Sequence, residues 1–176
     1  MQGAVVDALR ERLKSLNVLI VDDNAFMRKI VRELLADLGV RHTIEAADGI
    51  AGLDAIRKAG PDLVILDLDM PLLDGFQFIR IVRTPGVFPC CDLPIIMLSG
   101  CSGRINVLEA QRLGVNEFLK KPVSANALFP RIASVLVKPR PMIEVDGRYQ
   151  PEPRGTQPTS RSLAPSAVSA TSATGS

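Results

Sequence analysis

The sequence predicts an α/β fold, a doubly wound five-stranded parallel sheet with helices on both faces. Three observations carry this. The runs 16–21, 63–66 and 95–98 are apolar almost without interruption, as strands buried on both faces are. Each ends at polar residues and is followed by a segment whose apolar side chains recur at three- and four-residue spacing. Strand and helix patterns alternate along the chain, five of each, which demands right-handed crossovers.

In order, Leu16 to Val21 reads as a strand ending in Asp22-Asp23-Asn24. Met27, Ile30, Val31, Leu34, Leu35 and Leu38 then mark a helix that stops at Gly39. His42 to Ala46 is the second strand, and Asp48 can cap a helix carrying Ile50, Leu53 and Ile56 before Gly60-Pro61. Leu63 to Leu66 is the third strand. Pro71 to Gly75 is a turn, with Asp74 as cap for a short helix over Phe76 to Val82, and Thr84 to Asp92 reads as a loop. Ile95 to Leu98 is the fourth strand, ending at Ser99-Gly100. A helix from Arg104 to Leu113, the stop Gly114 and a fifth strand, Glu117 to Lys120, follow. Ser124 can cap a last helix with Leu128, Ile132, Val135 and Leu136 on one face. Pro130 is expected either to kink that helix or to delay its start, since an interior proline costs about 3 kcal/mol.

Four regions result. Residues 1–15, with Val6, Leu9 and Leu13 at helical spacing, are an amphipathic helical extension expected to pack on its own domain. Residues 16–137 are the globular unit. Residues 138–150 are an extended, proline-containing segment expected on the domain surface. In 151–176, 20 of 26 residues are Pro, Ser, Ala, Thr or Gly, too few apolar side chains to repay ordering entropy, so a disordered tail is expected.

The composition narrows the function classes. The 176 residues carry a net charge of +2, and the five basic against three acidic residues after 137 account for all of it. A near-neutral folded unit argues against DNA binding. Cys90, Cys91 and Cys101 are odd in number and lack metal-site spacing, so a disulfide framework is not expected. No run of eighteen apolar residues exists and the first fifteen residues are charged, which predicts a cytoplasmic protein without membrane insertion. His42, the single histidine, reads as a surface residue.

Parallel strands deliver their C-terminal residues to one edge of the sheet, where open α/β sheets do their chemistry. Here those residues are Asp22 and Asp23, Asp67, Ser99 and Lys121. Packed carboxylates repel unless a cation neutralises them, and an all-oxygen donor set favours Mg²⁺. A phosphoryl group beside that metal would find Ser99 as a donor and Lys121 as counter-charge. The set suits transfer of phosphate to a carboxylate nucleophile.

With Asp22-Asp23, the run LDLDMPLLDG from Leu66 to Gly75, Ser99 and Lys121-Pro122 in hand, the chain resembles the receiver domain of bacterial two-component response regulators over roughly residues 17–137. The single-domain, chemotaxis-like members are the ones it looks like. The resemblance implies a flavodoxin-like fold with strand order 2-1-3-4-5. It also implies that Asp67 accepts phosphate from a kinase phosphohistidine, with Mg²⁺ held by Asp23, Asp67 and the backbone carbonyl of Asp69, and by Asp22 through water. Lys121 would pair with the phosphate. Ser99 would turn towards it and Phe118 would swing inward, changing the face made by the helix over 104–113, the fifth strand and the last helix. Small Gly100 would leave the acyl phosphate accessible.

The implied partners are a histidine kinase or phosphotransfer protein and a downstream protein target. Phe118 lacks the hydroxyl of the tyrosine common in chemotaxis-type members. Asp69 adds a fourth acid near the metal, and Cys101 is expected near the pocket. The C-terminal arginines, otherwise solubilising, offer a place for an anionic ligand such as a cyclic dinucleotide. Two other readings remain open. Mg²⁺-dependent phosphatases of the haloacid dehalogenase type also use an aspartate in a D-x-D setting, but Asp67-Leu68-Asp69 lies on the third strand and no substrate-capping domain follows. A receiver that binds partners without phosphorylation would not need Asp67 and Lys121 intact.

Overall fold

The computed structural model describes residues 2–100 and 104–153, with side chains from residue 7 and, after the break, from residue 107. Five strands form one parallel sheet: β1 (Asn17–Val21), β2 (His42–Ala46), β3 (Leu63–Asp67), β4 (Ile95–Ser99) and β5 (Glu117–Lys120). Their spatial order is β2-β1-β3-β4-β5. The register pairs Val18 with Leu63, Val64 with Ile95 and Ile96 with Glu117. β3 and β4 are buried at every residue and β1 at all but its first, which is why these runs are continuous rather than alternating. The edge strands β2 and β5 keep polar residues.

Strand side chains alternate between two cores. Leu19, Val21, Val64, Leu66, Ile95 and Met97 face α3 (Gly49–Ala59), α4 (Gly75–Arg83) and α5 (Arg104–Arg112), meeting Ile56, Phe78 and Ala110. Val18, Ile20, Leu63, Ile65, Ile96 and Leu98 face α1 (Gln2–Ser15), α2 (Ala25–Asp37) and α6 (Ala125–Val137), meeting Leu13, Val31, Leu35 and Ile132. The N-terminal extension therefore packs on its own domain, with Leu13 and Leu16 almost wholly buried. Each such side chain contributes about 1.5–3 kcal/mol of burial, which holds an otherwise marginal helix in place.

The helix starts are capped as their sequences dictate. The side chains of Asn24, Asp48 and Ser124 accept from backbone amides at the starts of α2, α3 and α6, and Asp74 forms a reciprocal capping box with Gln77. α6 begins at Ala125 and runs through Pro130, so its start is not delayed. Asn126 and Pro130 are both exposed, and the carbonyl deprived of its donor belongs to the helix's first, watered turn. No described helix is long and apolar enough to cross a membrane.

The segment after α6 is more organised than an extended strip. β6 (Met142–Val145) and β7 (Arg148–Pro151) pair as an antiparallel hairpin. Asp146 (φ 50°) and Gly147 (φ 73°) both occupy the left-handed region at its turn, the conformation that Asp-Gly favours between two strands. The hairpin seats on the edge of the domain opposite the strand C-termini. A Cβ on Gly114 would lie 2.5 Å from the Tyr149 carbonyl oxygen, and Arg140 donates to the Asn116 carbonyl. Pro151, read from sequence as the first residue of the tail, is buried as the last residue of β7. The rest of that tail, 154–176, lies outside the described residues.

At the same edge Arg83 is fully buried. Its guanidinium donates to the carbonyls of Gly114 (3.0 Å) and Cys91 (2.6 Å) and to Oδ1 of Asn116 (3.0 Å). Burial pulls its pKa down to about 10, so it is still charged at neutral pH. One side chain thus ties the end of α4 to the loops before β4 and β5.

Candidate functional site

The acid pocket forms at the opposite edge, where β1, β3, β4 and β5 end. One carboxylate oxygen from each of Asp22, Asp23 and Asp67 lies within 4.8 Å of the others. Asp22 and Asp67 are buried at 1% and 3% exposure, whereas Asp23 is exposed, so the cluster opens to solvent on Asp23's side. Two adjacent residues differ so because Asp22 closes β1, its amide donating to the Ala46 carbonyl, while Asp23 sits in the loop before α2.

The pocket is braced from several elements. Oδ1 of Asp22 accepts the Asn24 amide at 2.9 Å, and Arg28 donates to the Asp22 carbonyl at 2.8 Å while pairing with Glu45 of β2 at 3.2 Å. The loop after β3 lies close to the start of α4: the Gly75 amide donates to Leu68, and a Cβ on Gly75 would lie 2.7 Å from the Asp67 carbonyl oxygen. Leu72 has φ 69°, with the Leu73 amide donating to the Pro71 carbonyl two residues back, so the loop turns tightly there.

Lys121 reaches across the pocket from just beyond β5. Its Nζ lies 3.0 Å from Oδ2 of Asp22 and 2.9 Å from Oδ1 of Asp67. The second contact is an ion pair outside hydrogen-bond geometry, so Oδ1 of Asp67 is buried with charge compensation and no aligned donor. Burial pushes the Asp67 carboxyl above the usual range; Lys121 offsets this, and the negative charge of Asp22 adds to it. For Lys121, burial works downwards, but the contacts with Asp67 and Asp22 outweigh it and the pKa is raised. The pocket holds more negative charge than one ammonium neutralises comfortably. An orphaned carboxylate oxygen amid three converging acids fits a hard divalent cation of the Mg²⁺ type.

The other residues read from sequence are distributed as follows. Ser99 is fully buried at the end of β4, and its carbonyl accepts the Lys121 amide at 2.9 Å. Asp69 is exposed just past β3, and its backbone amide supports the Asp67 carboxylate. Phe118 is half-buried on β5, packed against the core shared by α3, α4 and α5. Gly100 is exposed beside Ser99. Cys101 lies outside the described residues. Sequence reasoning did not single out Arg28 or Gly75 for the pocket. Gly75 was visible as the last residue of the turn, but its close approach to Asp67 was not.

Comparison with known proteins gives one family. The response regulator receiver domain matches residues 18–133. Chemotaxis protein CheY-3 of Vibrio cholerae is 34% identical over 122 residues, which span 69% of this chain and 92% of that protein. Chemotaxis protein CheY of Pseudomonas aeruginosa is 34% identical over 120 residues, spanning 68% and 95%. Among solved structures, chemotaxis protein CheY4 of Vibrio cholerae superimposes with a TM-score of 0.62 at 32% identity, covering 69% of this chain and 98% of that one. The receiver domain of the Francisella response regulator 1452 does so with a TM-score of 0.60 at 28% identity, covering 67% and 93%.

Proposed function

Because the chain belongs to the family of response regulator receiver domains, we propose that it is a phosphorylation switch in which Asp67 accepts a phosphoryl group from a histidine kinase or phosphotransfer protein. The observation that carries this is the pairing of Asp67 with Lys121 inside the three-acid cluster. A carboxylate oxygen of Asp67 attacks phosphorus, the P–N bond to the donor imidazole breaks, and its electron pair returns to the ring nitrogen, which takes up a proton. An acyl phosphate remains on Asp67, and water later hydrolyses it.

Asp23, Asp67 and the backbone carbonyl of Asp69 would hold Mg²⁺, with Asp22 acting through water. When bound, the ion supplies neutralisation of the charge shared by the carboxylates and the phosphoryl oxygens. Lys121 moves from pairing two acids to pairing the phosphate, and Ser99 donates to a phosphoryl oxygen. Phe118 follows Ser99 inward, remodelling the α5–β5–α6 face for a downstream protein target in chemotaxis-like signalling. Shifting such a switch from 1:99 to 99:1 requires about 5.5 kcal/mol of preference for the active state. The protein acts in the cytoplasm as a switch rather than as an enzyme, its chemistry limited to gaining and losing its own phosphate.

The test is incubation with acetyl phosphate, or with beryllofluoride, and Mg²⁺, read by intact mass and amide NMR against Asp67→Asn. Wild type gains one acid-labile phosphate and shows Mg²⁺-dependent shifts around Ser99 and Phe118; the variant does neither. No mass gain and no shifts would sink the switch. Turnover of many phosphate esters would instead favour a haloacid dehalogenase-type phosphatase.

A further inference from the structure

Behind the acid pocket, α2 carries Arg28 and Arg32, one helical turn apart and so on one face. Both reach Glu45 of β2: Arg28 Nε donates to Oε2 at 3.2 Å and Arg32 Nη1 to Oε1 at 2.6 Å. The two are not equivalent. Arg32 is half-exposed, and its pair with Glu45 ties α2 to β2. Arg28 has only 15% of its side chain exposed, and its Nη1 also donates to the backbone carbonyl of Asp22 at 2.8 Å. One rigid, planar guanidinium therefore joins the edge strand to the peptide that links Asp22 to Asp23.

That peptide lies where the chain leaves the sheet. On one side the Asp22 amide donates to the Ala46 carbonyl at 3.2 Å; on the other the Asn24 amide donates to Oδ1 of Asp22 at 2.9 Å, and Asn24 caps α2. Asp23, between them, is exposed at a bend, so packing constrains it less than it does the buried Asp22 and Asp67. The Asp22 carbonyl and the Asp23 amide share one plane, and a bond that fixes the first also fixes the orientation from which the Asp23 side chain projects. Electrostatics works in the opposite direction. A guanidinium beside the cluster repels an incoming divalent cation, and Glu45, shared with Arg32, offsets that charge only in part.

We propose that Arg28 is a positioning residue for the acid cluster: through the Asp22 carbonyl it holds Asp23 in place beside Asp22 and Asp67 for Mg²⁺, and its bond to Glu45 anchors that grip on β2. The proposal deepens the reading above and rests on the cluster taking a divalent cation. Its measurement uses no phosphodonor, so a failure of phosphate uptake and a failure of this assignment are told apart. Outer groups that orient metal-binding carboxylates change metal affinity by about 10- to 100-fold.

The experiment is a Mg²⁺ titration of the full chain at a constant ionic strength of about 0.15 M, followed by amide NMR. Arg28→Met, of similar length but without donors or charge, raises the Kd for Mg²⁺ by about tenfold although it removes a repelling cation. In EDTA its Asp23 amide is already displaced from the wild-type position. Arg32→Met breaks the other pair to Glu45 without touching Asp22; it leaves the Asp23 amide in place and the Kd within about twofold of wild type. Arg28→Lys, which keeps the charge with one point of donation, falls between Arg28→Met and wild type. Circular dichroism checks the folds, and Glu45→Gln, which weakens only the anchor on β2, carries the test with a Kd raised by about threefold should Arg28→Met not fold. The proposal is overturned if Arg28→Met binds Mg²⁺ as tightly as wild type or more tightly, as a purely electrostatic role requires, or if Arg32→Met weakens binding as much as Arg28→Met does. It is also overturned if wild type shows no shifts over Asp22 to Asn24 up to about 20 mM Mg²⁺, beyond the range of weak oxygen-donor sites. Only that last result would remove the metal from the proposed function as well.

Discussion

The Lys121 ammonium stands 2.9 Å from Oδ1 of Asp67 and so compensates a carboxylate that burial pushes towards its neutral form. The same ammonium lies 3.0 Å from Asp22. Lys121→Met would leave two buried acids without their cation. A reduction of about 2 kcal/mol in unfolding free energy is expected in EDTA, below the 3–5 kcal/mol of a fully dry pair because the lysine keeps contact with water. Mg²⁺ should recover part of the loss. Urea unfolding with and without the metal checks both, and equal stability of variant and wild type in EDTA would contradict the electrostatic account.

Asp67 should also leave a signature in the pH dependence of stability. Its folded pKa is raised above the ordinary 3.8, so the native state holds its proton more tightly than the unfolded chain. Stability contributed by this group is therefore greatest at low pH and falls as pH rises through and above 3.8. Asn cannot titrate. In EDTA, the stability of wild type minus that of Asp67→Asn should decline as pH increases, and a difference independent of pH would refute this. Saturating Mg²⁺ should raise wild type relative to the variant, since a ligand stabilises only the state that binds it.

Gly75 is required by space rather than by backbone angle. Its missing Cβ would fall 2.7 Å from the Asp67 carbonyl oxygen and 2.9 Å from Cα of Leu68, both backbone atoms that cannot swing aside. Gly75→Ala should therefore destabilise by about 1–3 kcal/mol. It should also slow acetyl phosphate uptake, because the displaced segment carries Asp67, the proposed phosphoacceptor. Denaturant unfolding together with a mass-based time course reads the two effects. A variant with wild-type stability and rate would show that the loop relaxes freely.

Arg83 makes a different prediction, remote from the acid pocket. Truncation to Ala would strand the Gly114 and Cys91 carbonyls, both now satisfied by one buried fork, and leave the Asn116 amide oxygen only the Ile95 amide. A loss of about 3 kcal/mol or more is expected. Lys, with a single point of donation, should recover less than half of it. Amide exchange in the Gly114–Asn116 turn should accelerate in both variants, and unchanged protection would argue that water replaces the guanidinium.

The apolar runs 63–66 and 95–98 were legible as strands to within a residue because burial on both faces leaves a continuous local pattern. The caps Asp48, Asp74 and Ser124 were legible for the same reason: each acts on amides two or three residues away. The acids at the strand ends could be grouped because parallel topology alone sends them to one edge. The Asp146-Gly147 turn was present in the sequence as a hairpin signal, but the prolines around it read more simply as an extended strip.

Other features could not be read from any local window. Lys121 meets Asp22 across 99 residues of sequence, and Arg83 meets Gly114 across 31. Which segments are strands and helices, and which polar residues gather at the working edge, follow from periodicity and chain direction. That Asp67 is buried with one oxygen lacking an aligned donor, that Arg83 is a core residue and that 142–151 folds as a hairpin against the domain emerge only when the elements pack. Distance, burial and charge balance arise from the packing of segments far apart in the chain, and no local pattern records them.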